Sequence, residues 1–271
     1  MQYDRITPVT VAVRSPRGLV DIVAADNTAV DVVVAPMDGS EAAATAARET
    51  RVDLDGDTLT IHAPNSTGWQ WRRSPRLAIT VRVPTGSSIA VKVASADLRA
   101  AGRFGTAQVE SASGDLAVED VAGDAHLESA SGDIAVGRVG GTLHAKSASG
   151  DLDIGDVTGD VITSSASGDI AVRSGGGSVA AQTASGDVEI GAVHRGAARL
   201  RSASGDIEVG VVAGTGVWLD VSTLSGDTVN DLAMTGGESN PPTGAALDLH
   251  IRTASGDIHI RRAAGDLSTA A

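Results

Sequence analysis

Apolar and polar residues alternate along most of the chain in a pattern that repeats every 18 residues. Each repeat has two halves of nine residues, and both halves place apolar residues at alternate positions, as in Leu116 and Val118 followed by Ala125 and Leu127. Alternation with a period of two is typical of a strand that buries one face. Each repeat therefore predicts two short strands joined by two turns.

The tripeptide Ser-Gly-Asp occurs eight times and marks one corner of each repeat. The first five of its aspartates are spaced by 18 residues, and the later spacings are 19, 21 and 30. The aspartates are Asp115, Asp133, Asp151, Asp169, Asp187, Asp206, Asp227 and Asp257. A short fixed period is typical of arrays in which each unit buries its apolar face against its neighbours. The sequence therefore predicts an all-β fold, a two-sided parallel β-solenoid (β-helix) with about 18 residues per coil.

Coils that stack at about 4.8 Å place equivalent side chains in internal columns. The first predicted column is Leu116, Ile134, Leu152, Ile170, Val188, Ile207 and Ile258, and the second is Val118, Val136, Ile154, Val172, Ile190, Val209 and Ile260. A third internal column of small residues is predicted at Ala112, Ala130, Ala148, Ala166, Ala184, Ala203 and Ala254. Leu224 interrupts this third column, so we expect the coil to widen there.

The chain is predicted to have two parts that are continuous with each other. Residues 1–90 carry strand patterns without the clean period and predict an irregular β-rich cap with one short helix, which begins after Ser40. Residues 91–271 predict the regular solenoid, with an inserted loop at 230–245 that contains Gly236-Gly237 and Pro241-Pro242. A cap is expected because an open end of a solenoid presents unpaired strand edges.

Composition excludes several classes of function. The net charge of −13 argues against nucleic-acid binding and against an anionic membrane surface, because both require patches of Lys and Arg. The chain has no cysteine, which excludes disulfides and thiolate metal sites. No stretch has the pattern of a signal peptide or of a membrane-inserted helix, so we expect a cytoplasmic location.

The row of corner aspartates is the first candidate site. Stacked carboxylates about 5 Å apart would repel by about 1 kcal/mol per neighbouring pair in water, so something must offset the repulsion. Hydrogen bonds from backbone amides and serine hydroxyls are one explanation, and a row of bound cations such as Ca²⁺ is the other. The candidate ligands of this cation row are Asp115, Asp133, Asp151, Asp169, Asp187 and Asp206.

Three smaller features were weighed in the same way. His126 and His144 are 18 residues apart and predicted to stack on the outside, where two imidazoles could bind Zn²⁺, but the pattern favours exposed histidines without a ligand. The run from Asp53 to Asp57 resembles part of an EF-hand loop, but it lies between predicted strands and favours a hairpin turn. Trp69 and Trp71 could stack on a sugar or a protein partner, or cover the cap.

Candidate catalytic groups are lacking in the sequence. The many serines lie in predicted turns and have no repeating histidine partner. Hydrolases and lyases on β-helices need clustered acids or bases, and the predicted surface is poor in them. We therefore predict a protein that is not an enzyme and has no required cofactor.

The repeated Ser-Ala-Ser-Gly-Asp motif closely resembles that of the DUF4097 family. The copies lie at 111–115, 129–133, 147–151, 165–169 and 202–206, with threonine variants at 183–187 and 253–257. The resemblance runs from about residue 10 to the end of the chain. It implies a β-strand-repeat protein of the kind often labelled "putative adhesin", and some relatives are linked to cell-envelope stress signalling. It implies no catalytic or binding residues.

Two functions from different classes remain open. The first is a binding or scaffold protein that presents a rigid face to a protein or glycan partner. The second is a structural protein that assembles side by side or end to end, through the ends of the solenoid, as bactofilin-like solenoids do. A Ca²⁺-loaded rod is a variant of either.

Overall fold

The computed structural model describes residues 1–26, 29–64, 75–232 and 246–263. The N-terminal elements are β1 Gln2–Tyr3, β2 Thr10–Ala25, β3 Val30–Pro36, α1 Glu41–Glu49, β4 Arg51–Asp55, β5 Thr58–His62, β6 Leu77–Pro84 and β7 Ser88–Phe104. The strands that follow are short, and they alternate between the two walls of a solenoid. The solenoid class predicted from the 18-residue period is confirmed.

Wall A is the wall formed by the second strand of each repeat, such as Ala125–Ser129, and wall B is formed by the first, such as Leu116–Val121. Wall A contains β8 Ala107–Ser111, β10 Ala125–Ser129, β12 Leu143–Ser147, β14 Val161–Ser164, β16 Val179–Gln182 and β18 Gly196–Arg201. Wall B contains β9 Leu116–Val121, β11 Ile134–Val139, β13 Leu152–Val157, β15 Ile170–Gly175, β17 Val188–Val193 and β19 Ile207–Val211. Each strand pairs in parallel with its equivalent in the next coil, such as Ile134 with Leu152 and Ala125 with Leu143.

The two predicted columns of large aliphatic residues are confirmed, and they form the wall B side of a core that also includes inward residues of wall A such as Leu127 and Leu143. Residues of the first column, from Leu116 to Ile258, are at most 1% exposed, and those of the second are at most 4% exposed. Registered pairing continues from coil to coil, so each branched side chain packs against one like itself. Burial of such side chains contributes about 1.5–3 kcal/mol each, which explains how the chain folds with few aromatic rings.

The predicted third internal column is wrong, because its alanines point outwards. Ala130 and Ala148 are exposed, whereas Ser129 and Ser147, one position earlier, are buried. The serine hydroxyl explains the choice: Ser129 Oγ accepts a hydrogen bond from the Gly132 amide at 2.9 Å. Ser147 Oγ accepts a hydrogen bond from the Gly150 amide in the same way, at 2.8 Å. The strand alternation therefore continues through the corner, and a hydrogen-bonded hydroxyl occupies the third inward position.

Leu224 does not widen the coil. It lies on the outer surface, in line with the exposed alanines, and is 85% exposed. The neighbouring Thr223 takes the inward position, and its hydroxyl donates to the Gly256 carbonyl at 3.1 Å. A wider coil was expected only if the Leu224 side chain pointed inwards. Because Thr223 points inwards instead, the coil does not need to widen.

Coils at the C-terminal end stack out of chain order. The last elements are β20 Gly216–Ser225, β21 Thr228–Asn230, β22 Ala246–Ser255 and β23 Ile258–Arg262. The later pair, β22 and β23, lies directly on β18 and β19, and β20 and β21 pair with the outer side of β22 and β23. The predicted pairing of Ile207 with Ile258 is therefore confirmed. The coil of β20 and β21 comes earlier in the sequence but lies further out, on β22 and β23. The inserted loop predicted at 230–245 lies mostly outside the described residues.

The N-terminal cap begins with two long strands that cross both walls. One half of β2 pairs with β7 on wall A, as in Val11 with Ile89, and the other half pairs with it on wall B, as in Val20 with Leu98. The single strand β2 thus forms one complete coil. Because β7 begins at Ser88 and continues into the array, the division near residue 90 remains a prediction.

Antiparallel strands close the N-terminal end. On wall A, β5 pairs with β2 and β4 pairs with β5 as an antiparallel hairpin. On wall B, β6 pairs with β2, β3 pairs antiparallel with β6, and β1 pairs antiparallel with β3. The predicted helix is confirmed as α1, where the Ala43 amide donates to the N-cap Ser40 Oγ at 3.1 Å. Ala43 and Ala46 are its buried residues. The cap predicted from the loss of periodicity is therefore built of one coil, hairpin-like pairings and one helix.

Candidate binding surface

The corner aspartates form a continuous hydrogen-bonded ladder. In each coil, the Asp carboxylate accepts the amide of the equivalent Asp in the next coil, as between Asp133 Oδ1 and the Asp151 amide at 3.0 Å. Distances fall from 3.2 Å at Asp97 to 2.7 Å between Asp206 and Asp257. The ladder reaches the swapped end, where the Asp227 amide donates to Asp257 Oδ1 at 2.8 Å. Backbone amides thus supply one favourable contact to each carboxylate that accepts, which partly offsets the repulsion along the row.

Glycine is required beside these aspartates because adjacent corners are in contact. A Cβ added at Gly150 would lie 2.1 Å from the Gly132 carbonyl oxygen, and one at Gly132 would lie 2.2 Å from the Gly114 oxygen. The Ser-Ala-Ser-Gly-Asp motif therefore combines three functions: the hydroxyl of its first serine accepts the glycine amide, the glycine permits close stacking, and the aspartate bonds to the next coil. This explains the repeat as a structural device.

A cation row at Asp115, Asp133, Asp151, Asp169, Asp187 and Asp206 remains an untested prediction. Among the residues that the structure describes, no group of three or more His, Cys, Asp or Glu side chains is arranged to hold a metal ion. The ladder provides an alternative stabilisation, and the two explanations differ in what they predict for the loss of one charge.

We expect Asp151→Asn to leave the free energy of unfolding within about 0.5 kcal/mol of the wild type, because the amide oxygen still accepts the Asp169 N–H. Asp151→Ala removes that acceptor and should cost about 1 kcal/mol. Chemical denaturation with and without Ca²⁺ measures both. If Asp151→Asn costs as much as Asp151→Ala, and Ca²⁺ raises the wild-type midpoint, the carboxylates bind cations and the ladder explanation is wrong.

The two histidines stack as predicted. His126 pairs in register with His144, and their ring centroids are 6.0 Å apart. His126 Nε2 lies 3.2 Å from Glu128 Oε1 on the same strand, and both side chains are about half exposed. Two exposed imidazoles and one carboxylate do not complete a zinc site, which takes four ligands in structural centres.

The other two small features have different outcomes. The run from Asp53 to Asp57 is a hairpin turn between β4 and β5, in which Asp55 pairs with Thr58 and Gly56 has a φ of +55°. The hairpin prediction is confirmed. Trp69 and Trp71 lie outside the described residues, so their predicted role in partner binding stays a prediction.

A surface that the sequence reasoning missed lies on wall A near the C-terminal end. We call it the Trp218 surface, and it comprises Trp218, Asp220, His250, Arg252, Arg199 and Arg201. These residues occupy three adjacent strands, β20, β22 and β18, and their outward positions are in register. Trp218 is 58% exposed, the largest aromatic surface on the described part of the chain. The sequence pattern does not reveal this surface, because the swapped order of β20 and β22 brings Trp218 beside the basic residues.

One acid holds part of this surface in place. Asp220 Oδ2 lies 3.3 Å from His250 Nδ1 and 3.4 Å from Arg252 Nη2. The hydrogen bond with His250 is the main cause that lowers the pKa of Asp220, and Arg252 also contributes. The Trp218 and His250 rings are 5.3 Å apart at an interplanar angle of 58°. The indole therefore packs against the imidazole and keeps much of its surface open to solvent.

Wall B carries a second candidate, a shallow groove of about 540 Å³. Its floor includes Ala135, Gly137 and Gly155, and a Cβ at Gly155 would lie 2.7 Å from Arg173 Nη2. Arg173 is paired with Asp156 at 3.2 Å. The groove is open, floored by small residues and lacks an aromatic ring among its lining residues, so it offers fewer recognition groups than the Trp218 surface.

Comparison with known proteins agrees with the repeat. The family model described as Toastrack DUF4097 matches residues 21–140 and 137–269. A solved structure of a "putative adhesin" from Bacteroides fragilis is 14% identical, with 96% of this chain and 95% of that chain covered and a TM-score of 0.45. Another, a "putative adhesin" from Parabacteroides merdae, is 9% identical, with 97% and 94% covered and a TM-score of 0.36. No curated protein matches the chain.

Proposed function

Because the chain belongs to the Toastrack DUF4097 family, we propose that it is a non-enzymatic, adhesin-like binding protein that presents one rigid wall of its solenoid to a partner. The observation that carries this proposal is the Trp218 surface, an exposed indole beside basic side chains on a hydrogen-bonded sheet. Trp and Arg are the residue types most enriched at binding hot spots. A rigid sheet also limits the ordering cost of binding, because its strands are fixed before the partner arrives.

The partner class that this proposal names is a protein or a glycan. A role in envelope-stress signalling, which the family resemblance implied, and the cytoplasmic location expected from the sequence both remain predictions. No helix of the described residues is long and apolar enough to cross a membrane. Cell fractionation followed by immunoblotting of the full chain checks the location.

Binding by the full chain to arrays of glycans and of proteins tests the proposal. We expect saturable binding to at least one class, with Trp218→Ala weakening it about tenfold, the loss typical of a hot-spot residue (about 1.4 kcal/mol). The control is Ile162→Ala, which removes a 43% exposed side chain elsewhere on wall A and should change affinity less than twofold. An absence of saturable binding on both arrays would contradict the binding function.

A second candidate function, self-association, is favoured by the C-terminal end. In the described part of the chain, β20 pairs with β22 alone, and its residues Val217, Leu219 and Val221 are only partly buried. Leu224 and Val229 on the same coil are 85% and 48% exposed. The N-terminal end is instead closed by antiparallel strands, so the two ends do not match. We therefore propose a two-fold dimer through the C-terminal ends as the form that self-association would take, since such contacts close on themselves.

Sedimentation over a range of concentrations tests self-association separately from partner binding. A monomer–dimer equilibrium that Leu224→Lys shifts to monomer supports the dimer. A monomer at all concentrations rules self-association out, and filaments seen by electron microscopy would instead support the bactofilin-like alternative.

A further inference from the structure

The Trp218 surface is locally basic on an acidic protein. Arg201 on β18 lies directly opposite Arg252 on β22, and Arg199 lies opposite His250. Like charges placed directly opposite each other destabilise a sheet. The acids on the same three strands' outward face are Asp220 and Asp248, and Asp220 is engaged by His250 and Arg252. The chain therefore maintains an unfavourable arrangement of guanidinium groups at this position.

Two of these guanidinium groups have no partner of their own. Neither the Arg199 nor the Arg201 side chain makes a hydrogen bond or an ion pair with any of the residues that the structure describes, and both are exposed. Arg252, by contrast, is held by Asp220. A planar guanidinium presents donors in a fixed fork that matches a carboxylate in a bidentate geometry. Arg199 and Arg201 lie two positions apart on one strand, so they can engage two successive carboxylates of one ligand.

The indole adds a different kind of contact. Trp218 offers a rigid apolar plane with few internal rotations, and its contact with His250 limits its movement. Such a plane can cover the apolar face of a sugar ring, and the nearby polar atoms of Asp220, His250 and Ser222 can meet ring hydroxyls. Ser222 pairs in register with Arg252, so these polar groups are continuous with the arginines.

The strands that carry the arginines, β18 and β22, offer an extended peptide no free edge, whereas β20 pairs only with β22 in the described part of the chain. The β22 strand is paired with β18 on one side and with β20 on the other. Peptides that bind sheets in extended form add to a free edge through main-chain hydrogen bonds. The face that carries Arg199, Arg201 and Arg252 offers side chains only, which suits a ligand that is recognised by its carboxylates and hydroxyls.

The net charge of −13 does not prevent such a ligand from binding. At physiological ionic strength the screening length is about 8 Å, so exposed acids on the opposite wall and at distant coils contribute little at this surface. The local charges decide the interaction, and the three guanidinium groups exceed the two carboxylates of Asp220 and Asp248 by one positive charge. The same screening predicts that added salt weakens binding.

We infer that the Trp218 surface binds an acidic glycan of the polyuronate class, with Arg199 and Arg201 on its carboxylates and Trp218 on a sugar face. This inference rests on the proposed binding function and specifies its ligand. It needs no metal, no cofactor and no covalent step.

Titration calorimetry with oligogalacturonate as the probe tests the inference. The wild-type chain should bind, and the double variant Arg199→Gln/Arg201→Gln should bind at least tenfold more weakly. Trp218→Ala should lose about tenfold and reduce the salt dependence less than the arginine variant does. The matched control is Arg99→Gln, which removes one exposed guanidinium from wall B and should change affinity less than twofold.

Poly-glutamate and a neutral glucan of similar length are the comparison ligands. Oligogalacturonate bound at least tenfold more tightly than both supports the inference. Poly-glutamate bound equally or more tightly would overturn it in favour of an acidic protein partner, and so would equal losses from Arg99→Gln and from the double variant. If oligogalacturonate does not bind but another ligand binds on the arrays, the inference fails and the binding function stands.

Discussion

Gly150→Ala should lower the free energy of unfolding by roughly 3 kcal/mol or more, the upper end of the cost of overpacking. The added Cβ would lie 2.1 Å from the Gly132 carbonyl oxygen and 2.6 Å from its carbon. These are backbone atoms of the neighbouring coil, so no side-chain rotation can relieve the contact. The only relief is to separate the coils, which breaks the hydrogen bond between the Asp151 amide and Asp133.

The matched control is Gly39→Ala, since a Cβ at Gly39 has nothing within 4 Å. Its effect should stay within about 0.5 kcal/mol. Denaturant midpoints with their m-values measure both variants, and hydrogen exchange localises the damage. Protection should fall in the coils next to residue 150 and persist in the cap, because stability in a solenoid depends on neighbouring units. Equal, small effects of the two variants would contradict the close stacking of the corners.

Ile154→Ala should cost about 2–5 kcal/mol, as expected for a large side chain removed from a packed core. Ile154 is 1% exposed and lies between Val136 and Val172 in the second internal column. Ile162→Ala is the control within the same coil, because Ile162 is 43% exposed on the outside of wall A. Its cost should be below about 1 kcal/mol.

The difference between these two isoleucines tests the assignment of inside and outside. Ile154 and Ile162 are eight positions apart, on successive strands of one repeat. A one-residue slip of either strand would move its inward side chains to the outside and its outward side chains to the inside. Thermal or denaturant unfolding of the two variants gives the comparison directly. A larger loss for Ile162→Ala than for Ile154→Ala would mean that the register is wrong.

The columns could be predicted from the sequence because strand alternation and the 18-residue period act together. Ile134 and Leu152 are large, apolar and separated by one period, and they pair as expected. The predicted alanine column is wrong because hydrophobicity alone does not decide burial at this corner, where the serines are buried and the alanines are exposed. Ser129 is buried because its hydroxyl has a partner at Gly132, and a hydrogen-bonded polar group can be buried at little cost.

The Trp218 surface could not be predicted, because it depends on a topology that the spacing hides. Asp227 precedes Asp257 in the chain by 30 residues, yet the coil of Asp257 stacks directly on that of Asp206. Local patterns describe each strand and contain no information about which coil lies next to which when the connections are long. The neighbours of Trp218, among them His250, therefore became known only from the structure.

Distances between spin labels on the outer column of wall B test the stacked, in-register solenoid most directly. The chain has no cysteine, so Ala117→Cys can be paired with Asp153→Cys or with Glu189→Cys for unique labelling. Those positions are two and four coils apart in one registered column. We predict backbone separations of about 10 Å and about 19 Å, an increase of about 4.8 Å per coil. Separations that do not grow in this way along the chain would contradict the fold on which every proposal here depends.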